Sequence, residues 1–227
     1  MKRTMKFLML LIVATVLATS TQARKNDDPD LRHVRLTTTD GKTIEGWIPR
    51  KQMTWIMQYQ VVLADKPDAK KGKKYKAEKL EKMDWLTPTE EHPEGEVWER
   101  CQTIYRYMIA PVKEDCLLEL VYRGNNASVY KARIFLAGNG TTSRNSWVTW
   151  YALKPNGQER AFLIYNVSLD KLGSFHTQFK NKEEFYGFRD FLEAWYDKDK
   201  KLAKKQVADS PAIISTLFDE WKSTSGK

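Results

Sequence analysis

The sequence predicts an α+β, β-rich protein in which a small N-terminal β-barrel-like module precedes an antiparallel sheet and C-terminal helices. From residue 31 to residue 168, short apolar or alternating runs are separated by Gly, Pro, Asn and Asp, as in antiparallel strands. After residue 178 the apolar residues recur at helical spacing within a charged background. A hydrophobic content of 41% and an aromatic content of 12% exclude a disordered chain.

Residues 1–23 have the layout of a cleavable secretory signal peptide. Three cations, Lys2, Arg3 and Lys6, precede an apolar stretch from Phe7 to Ala18. This stretch is shorter than the roughly 20 residues that a helix needs to cross a bilayer. We expect cleavage after Ala23, no transmembrane segment after cleavage, and a periplasmic or secreted product. Its net charge would be +6, because the signal removes three cations from a chain of net charge +9.

The predicted small β module covers residues 24–87. Val34 and Leu36 alternate with polar residues, and Asp40-Gly41 is typical of a two-residue hairpin turn between this strand and the next. Residues 59–64 and 73–77 supply further strands around a lysine-rich loop. Residues 88–96, rich in Pro and Glu, form the predicted linker to a second domain.

The predicted second domain, residues 97–227, contains a sheet and helices. Five runs read as strands, although the first could also form a helix; they are 97–108, 116–123, 128–137, 146–154 and 159–168. Residues 111–115 are predicted to be a break between two of them. One helix is expected within residues 181–201, and another after Ser210 as N-cap and Pro211 in its first turn.

The two cysteines, Cys101 and Cys116, predict a disulfide if the protein is exported. Extracellular compartments are oxidising, and closing this loop would stabilise the fold by about 3 kcal/mol. The alternative is a pair of buried free thiols.

No catalytic or metal motif stands out in the sequence. The histidines His33, His92 and His176 lack metal-ligand spacing, so we expect no metal site and no cofactor. No G-x-S-x-G string occurs. Paired carboxylates are harder to recognise, because glycosidase acids come from separate strands; the candidates in or beside the predicted sheet are Glu119, Glu159 and Asp170.

Two groups of side chains are candidates for ligand binding. Trp147, Trp150 and Tyr151 lie in one predicted strand, with Trp147 and Tyr151 on one face and Trp150 on the other. Such aromatic residues could stack on sugars, or they could pack in the core. The loop lysines Lys71, Lys73 and Lys74 could bind an anionic surface, or they could simply be solvated.

The segments DGKTIEGWI (Asp40–Ile48) and KKYKAEKLEKMDW (Lys73–Trp85) resemble exported proteins of Bacteroidetes-type bacteria that carry a small β module. The resemblance covers residues 31–86. It implies a sheet or small barrel and an envelope location, and it brings no catalytic residue with it.

These observations predict an exported, non-catalytic binding or envelope-associated protein. Its partner would be a glycan, an anionic surface or another envelope protein, while nucleic acid is not expected because no recognition motif is present. The alternative is a hydrolase that acts on glycans or cell-wall material with a dispersed carboxylate pair.

Overall fold

The computed structural model describes residues 32–49, 57–90, 92–107, 110–136, 146–173 and 185–225. Within these ranges, residues 104–107, 110–114, 135–136 and 146–147 are described by their backbone alone. The predicted signal peptide, residues 1–23, lies outside the described residues.

Eleven strands and three C-terminal helices make up the described part of the chain. The strands are β1 His33–Thr38, β2 Thr43–Trp47, β3 Gln60–Leu63, β4 Lys73–Lys76, β5 Leu80–Trp85, β6 Val97–Tyr107, β7 Ala110–Arg123, β8 Ala127–Leu136, β9 Ser146–Pro155, β10 Arg160–Asn166 and β11 Lys171–Leu172. The helices are α1 Tyr186–Lys198, α2 Lys200–Asp209 and α3 Ile213–Ser225. The prediction of a β-rich α+β protein with C-terminal helices is therefore confirmed.

Nine strands form one large sheet in the order β11-β10-β9-β8-β7-β6-β5-β1-β2, and their neighbouring pairs are antiparallel. Strand β10 also pairs in parallel with β6, through Arg160↔Gln102 and Ala161↔Thr103. This additional pairing closes the strands from β6 to β10 into a ring. Strands β3 and β4 form a separate two-stranded sheet.

The N-terminal strands share their core with the ring strands. The cluster contains Val34, Leu36 and Met83 from β1 and β5, and it also contains Trp98 of β6 and Leu117 of β7. Residues 88–96, the predicted linker, connect β5 to β6, which pair directly in the sheet. The division into domains at residues 87 and 97 stays a prediction.

The helices cover the outer face of β8, β9 and β10. Their aromatic residues, including Phe188 and Phe218, pack with Phe162 of β10 in one cluster. In addition, the Ser215 hydroxyl of α3 donates to the Ala127 carbonyl oxygen at 2.8 Å. A Cβ on Gly124 would lie 2.0 Å from the Ser215 oxygen, so this close approach of helix and turn requires glycine.

The β1–β2 hairpin is confirmed, but its predicted two-residue turn is wrong. The Thr38 amide donates to the Lys42 carbonyl oxygen, so the loop contains three residues and ends at Gly41 with φ of 81°. A left-handed glycine in the third position is typical of three-residue hairpin loops.

Two further predictions need correction. Residues 111–115 are not a break but part of β7, where Pro111 pairs with Arg106 of β6. Among the described residues, β6 is the strand that pairs with this part of β7. A backbone N–H at residue 111 is therefore not needed to pair with a second strand, and proline is tolerated there. Ser210 is not the N-cap of α3; its amide donates to Gln206 and ends α2, and α3 begins at Ile213.

Candidate functional site

A cleft of about 510 Å³ lies at one end of the ring. Cys101 of β6 and Tyr130 of β8 belong to the apolar cluster that fills the ring. Glu99 and Ser128 lie two residues before Cys101 and Tyr130 on these strands, on the same faces. Lys154 of β9 pairs directly with Ser128. All five residues line the cleft, which therefore begins where the apolar interior gives way to a polar layer.

The cleft also lies beside a gap in the strand pairing along one edge of β6. On this edge β5 pairs with residues 97–99, and β10 pairs with Gln102 and Thr103. Arg100 and Cys101 lie between the two pairing partners. The Lys154 ammonium donates to the Arg100 carbonyl oxygen at 3.1 Å, in the place of a strand amide.

Glu99 is the centre of the polar layer. Its carboxylate accepts hydrogen bonds from the Tyr130 hydroxyl and from Arg123 Nη2, the latter at 2.6 Å. Burial alone would raise the pKa of Glu99, but these hydrogen bonds and the Arg123 charge outweigh it, so the pKa is lowered. Burial, the nearby Cys101 and the bond to Glu99 raise the pKa of Tyr130. Glu99 is thus held as a carboxylate and Tyr130 as a neutral donor.

Lys154 places a second positive charge in the cleft beside Arg123. Its ammonium lies 5.8 Å from the centre of the Tyr130 ring. Among the described residues no carboxylate lies within ion-pair distance of it, and the Arg100 carbonyl is the acceptor that it contacts. An ammonium has three donors, so Lys154 has donors to spare for a ligand.

The outer wall of the cleft carries carboxylates around Arg100. Arg100 Nη2 lies 3.5 Å from Glu81 and 3.7 Å from Glu159, and Nη1 lies 3.8 Å from Asp115. Glu81 and Glu159 are exposed, with 57% and 67% of their side chains accessible. Arg100 Nε and Gln158 Oε1, both buried, have no hydrogen-bond partner in the described part of the chain. Unsatisfied polar atoms at a cleft are typical of sites that take water or a ligand.

Cys101 and Cys116 face each other directly across β6 and β7, and both are buried thiols that no disulfide joins. The predicted disulfide is therefore absent from this structure. Opposed residues of antiparallel strands have Cα atoms about 4.5 or 5.5 Å apart, which suits a disulfide. Burial raises the pKa of Cys101, so its thiol is held in the neutral form.

Of the ligand-binding residues predicted from the sequence, those whose side chains are described lie outside the cleft lining. Trp150 packs against the ring interior, whereas Tyr151 packs against the helical cluster, so the two point to opposite faces as expected. Trp147 lies in β9, but its side chain lies outside the described part of the structure. The three candidate lysines are exposed, but Lys73 and Lys74 lie in β4 and not in the predicted loop, which leaves Lys71 before the strand.

Of the three candidate carboxylates, Glu159 alone lines the cleft. Glu119 pairs with Lys131 at 3.4 Å, and Asp170 pairs with Lys204 at 3.2 Å. Sequence reasoning missed the polar layer itself, which consists of Glu99, Arg123, Ser128, Tyr130 and Lys154. These residues come from four strands and have no common spacing, so only the strand register brings them together.

Comparison with protein-family models, with curated proteins and with solved structures found no match to this chain. The resemblance of residues 31–86 to exported bacterial proteins therefore stays a prediction. Within the described ranges, no group of His, Cys, Asp and Glu side chains could hold a metal ion, and no helix is long and apolar enough to span a bilayer.

Proposed function

We propose that this chain is an exported, non-catalytic binding protein and that the cleft at the end of the ring is its ligand site. The observation that carries the proposal is the polar layer at Glu99, which is assembled on sheet strands before any ligand arrives. Side chains fixed by hydrogen bonds on rigid elements lose little freedom when a ligand binds. The exposed Arg123 guanidinium and the Lys154 ammonium offer donors to such a ligand.

The charge states in the cleft favour binding over catalysis. A glycosidase needs one carboxylic acid that stays protonated near neutral pH, which requires a raised pKa. Glu99, with 20% of its side chain exposed, instead has a lowered pKa. The Cys101 thiol has a raised pKa, whereas a nucleophilic cysteine needs a lowered one.

The hydrolase alternative is supported by one observation, the pair of exposed carboxylates Glu81 and Glu159 on the same Arg100 nitrogen. Release of reducing ends from cell-wall polysaccharides would test it. Loss of that release in a Glu159→Gln variant that still binds the polysaccharide would establish the hydrolase and overturn the non-catalytic proposal.

A thermal-shift screen of the purified protein tests the binding proposal. The panel contains neutral and acidic oligosaccharides, peptidoglycan fragments and anionic lipid vesicles. A ligand that binds the folded state must raise the melting temperature, by an amount that grows with its concentration. We expect a saturable rise with one class, and we expect Gln158→Ala to weaken binding of that ligand.

The control is the β4 variant Lys73→Gln/Lys74→Gln, which removes two exposed charges outside the cleft lining. Its affinity should equal that of the wild type. If the β4 variant loses binding and Gln158→Ala does not, the ligand site is the lysine-rich segment and the cleft assignment is wrong. A flat response across the whole panel would overturn the binding proposal for these ligand classes.

The proposal includes export and a barrel-like N-terminal module. Export is supported by residues 1–23, and N-terminal sequencing of protein recovered from outside the cytoplasm should begin at Arg24. The barrel-like module is supported by two contacts between its strands: β1 pairs with β5, and β2 contacts the chain after β3 through Trp47↔Ala64.

A further inference from the structure

We infer that the cleft binds an acidic saccharide, whose carboxylate contacts Lys154 and Arg123. This inference rests on the proposed binding function and names its ligand class. The cleft lining as a whole holds three cations and three carboxylates, but Glu81 and Glu159 lie on Arg100 at the outer wall. The inference starts from the inner layer, in which the two cations Arg123 and Lys154 accompany one carboxylate, Glu99.

The inner layer is not electrically balanced without a ligand. Glu99 accepts one hydrogen bond from Arg123 Nη2, which leaves the other donors of that guanidinium available. Arg123 has 60% of its side chain exposed, and Lys154 has no ion-pair partner among the described residues. The layer therefore carries one excess positive charge. A single carboxylate would balance it and accept charge-assisted hydrogen bonds from both cations.

The rest of the lining fits a polyhydroxylated molecule. Ser128, Asn156 and Gln158 present neutral donors and acceptors beside the two cations. Hydroxyl groups can serve both as donors and as acceptors, so they match a lining of mixed polar groups. An acyl chain or an apolar peptide side chain would desolvate polar lining groups such as Ser128 without offering them hydrogen bonds. This chemistry favours an acidic sugar over a lipid or an apolar peptide.

The experiment compares a tetramer of galacturonic acid with a tetramer of galactose by isothermal titration calorimetry at low salt. The two probes share most of their hydroxyl groups and differ in the carboxylates. We expect the acidic tetramer to bind at least tenfold more tightly. Lys154→Gln and Arg123→Gln should each weaken it about tenfold, because each removes a charge-assisted contact.

Glu99→Gln gives the sharpest test, because the expected sign is opposite. This variant removes the negative charge and keeps an oxygen that can accept from Tyr130. Its affinity for the acidic tetramer should rise several-fold, since Arg123 and Lys154 are then uncompensated. Lys131→Gln is the matched control: it removes a cation that pairs with Glu119 outside the cleft lining, and its affinity should not change.

The outcomes separate this inference from the proposed function. Equal binding of both tetramers, or weaker binding of the acidic one by Glu99→Gln, would overturn the carboxylate assignment while the cleft remains a binding site. If neither tetramer binds and the thermal-shift screen finds another ligand class, the acidic-saccharide inference fails and the binding proposal stands. If the screen is also flat, both fail. Circular dichroism of each variant verifies that a lost affinity is not a lost fold.

Discussion

The N-terminal core and the ring interior are both built by antiparallel strands. They differ in the side chains that border them. Val34, Leu36, Leu80 and Met83 are fully buried in the N-terminal cluster of hydrophobic residues, and the buried Arg32 donates to the carbonyl oxygen of Ile48, a member of this cluster. The ring interior instead ends in a charged layer around Glu99 that opens into the cleft. Partly buried charges offset their desolvation cost only with good partners. Glu99 has such partners in Tyr130 and Arg123, whereas Lys154 keeps donors to spare, and for this reason we propose the cleft as the ligand site.

The largest expected effect tests whether the two regions are separate at all. Leu117 of β7 is fully buried in the N-terminal cluster. Leu117→Ala should destabilise the protein by about 3 kcal/mol, because it removes buried methyl groups and leaves a cavity. Since this residue joins a ring strand to the N-terminal core, we expect one cooperative unfolding transition at lower denaturant, seen equally by tryptophan fluorescence and far-UV circular dichroism.

Leu202→Ala is the control, because Leu202 has 51% of its surface exposed and should change stability by less than about 0.5 kcal/mol. Two separate transitions, of which Leu117→Ala shifts one, would instead establish independent domains with the predicted boundary at residues 88–96.

The sequence predicts features that depend on neighbouring residues better than features that depend on pairing between distant strands. Local signals were sufficient where pairing is local: the Asp40-Gly41 turn predicted the β1–β2 hairpin, and helical spacing after residue 178 predicted C-terminal helices. Pro111 misled the reading of β7, because proline breaks a strand only where its missing amide is needed. The uncertain run from residue 97 forms a strand because it pairs with β5, β7 and β10.

The cleft could not be predicted for a related reason. Glu99 and Lys154 are far apart in sequence and become neighbours through the parallel pairing of β10 with β6 and the register of β8 and β9. A shift of one residue in any of these strands would turn its side chain to the other face. The aromatic and lysine-rich stretches stand out by their composition. Charged residues that alternate along a strand, such as those of the cleft, do not stand out, because they also occur on ordinary solvated faces.

The second-largest expected effect concerns the two cysteines in the apolar cluster inside the ring. If the protein is exported, Cys101 and Cys116 should oxidise, because the register places them directly opposite each other. The disulfide should stabilise the fold by about 3 kcal/mol. Alkylation under denaturing conditions, followed by mass spectrometry, should then label neither cysteine in protein recovered from the periplasm and both after reduction.

Cys116→Ser provides the matched control, since it should take one label on Cys101 without any reductant. Labelling of both cysteines in the unreduced protein would show that the buried thiols of this structure persist after export, and the predicted disulfide would then be wrong.

The smallest expected effect concerns Glu99 and sharpens the contrast between the two cores. Its pKa is lowered on folding, so its contribution to stability is present above the unfolded pKa and is lost as the pH falls through the folded pKa. Because Arg123 is largely exposed, the contribution is only about 1 kcal/mol. Glu99→Gln should therefore be less stable than wild type near neutral pH, and the difference should shrink between about pH 5 and about pH 3.

Urea denaturation across this pH range measures that difference directly. Glu159→Gln is the matched control, because Glu159 lies on the exposed outer wall and should leave the pH profile close to that of the wild type. A Glu99→Gln profile parallel to the wild-type profile would mean that the carboxylate is not held by Tyr130 and Arg123. A converging profile combined with tighter binding of the acidic tetramer would mean that one carboxylate stabilises the empty cleft and competes with the ligand for the same cations.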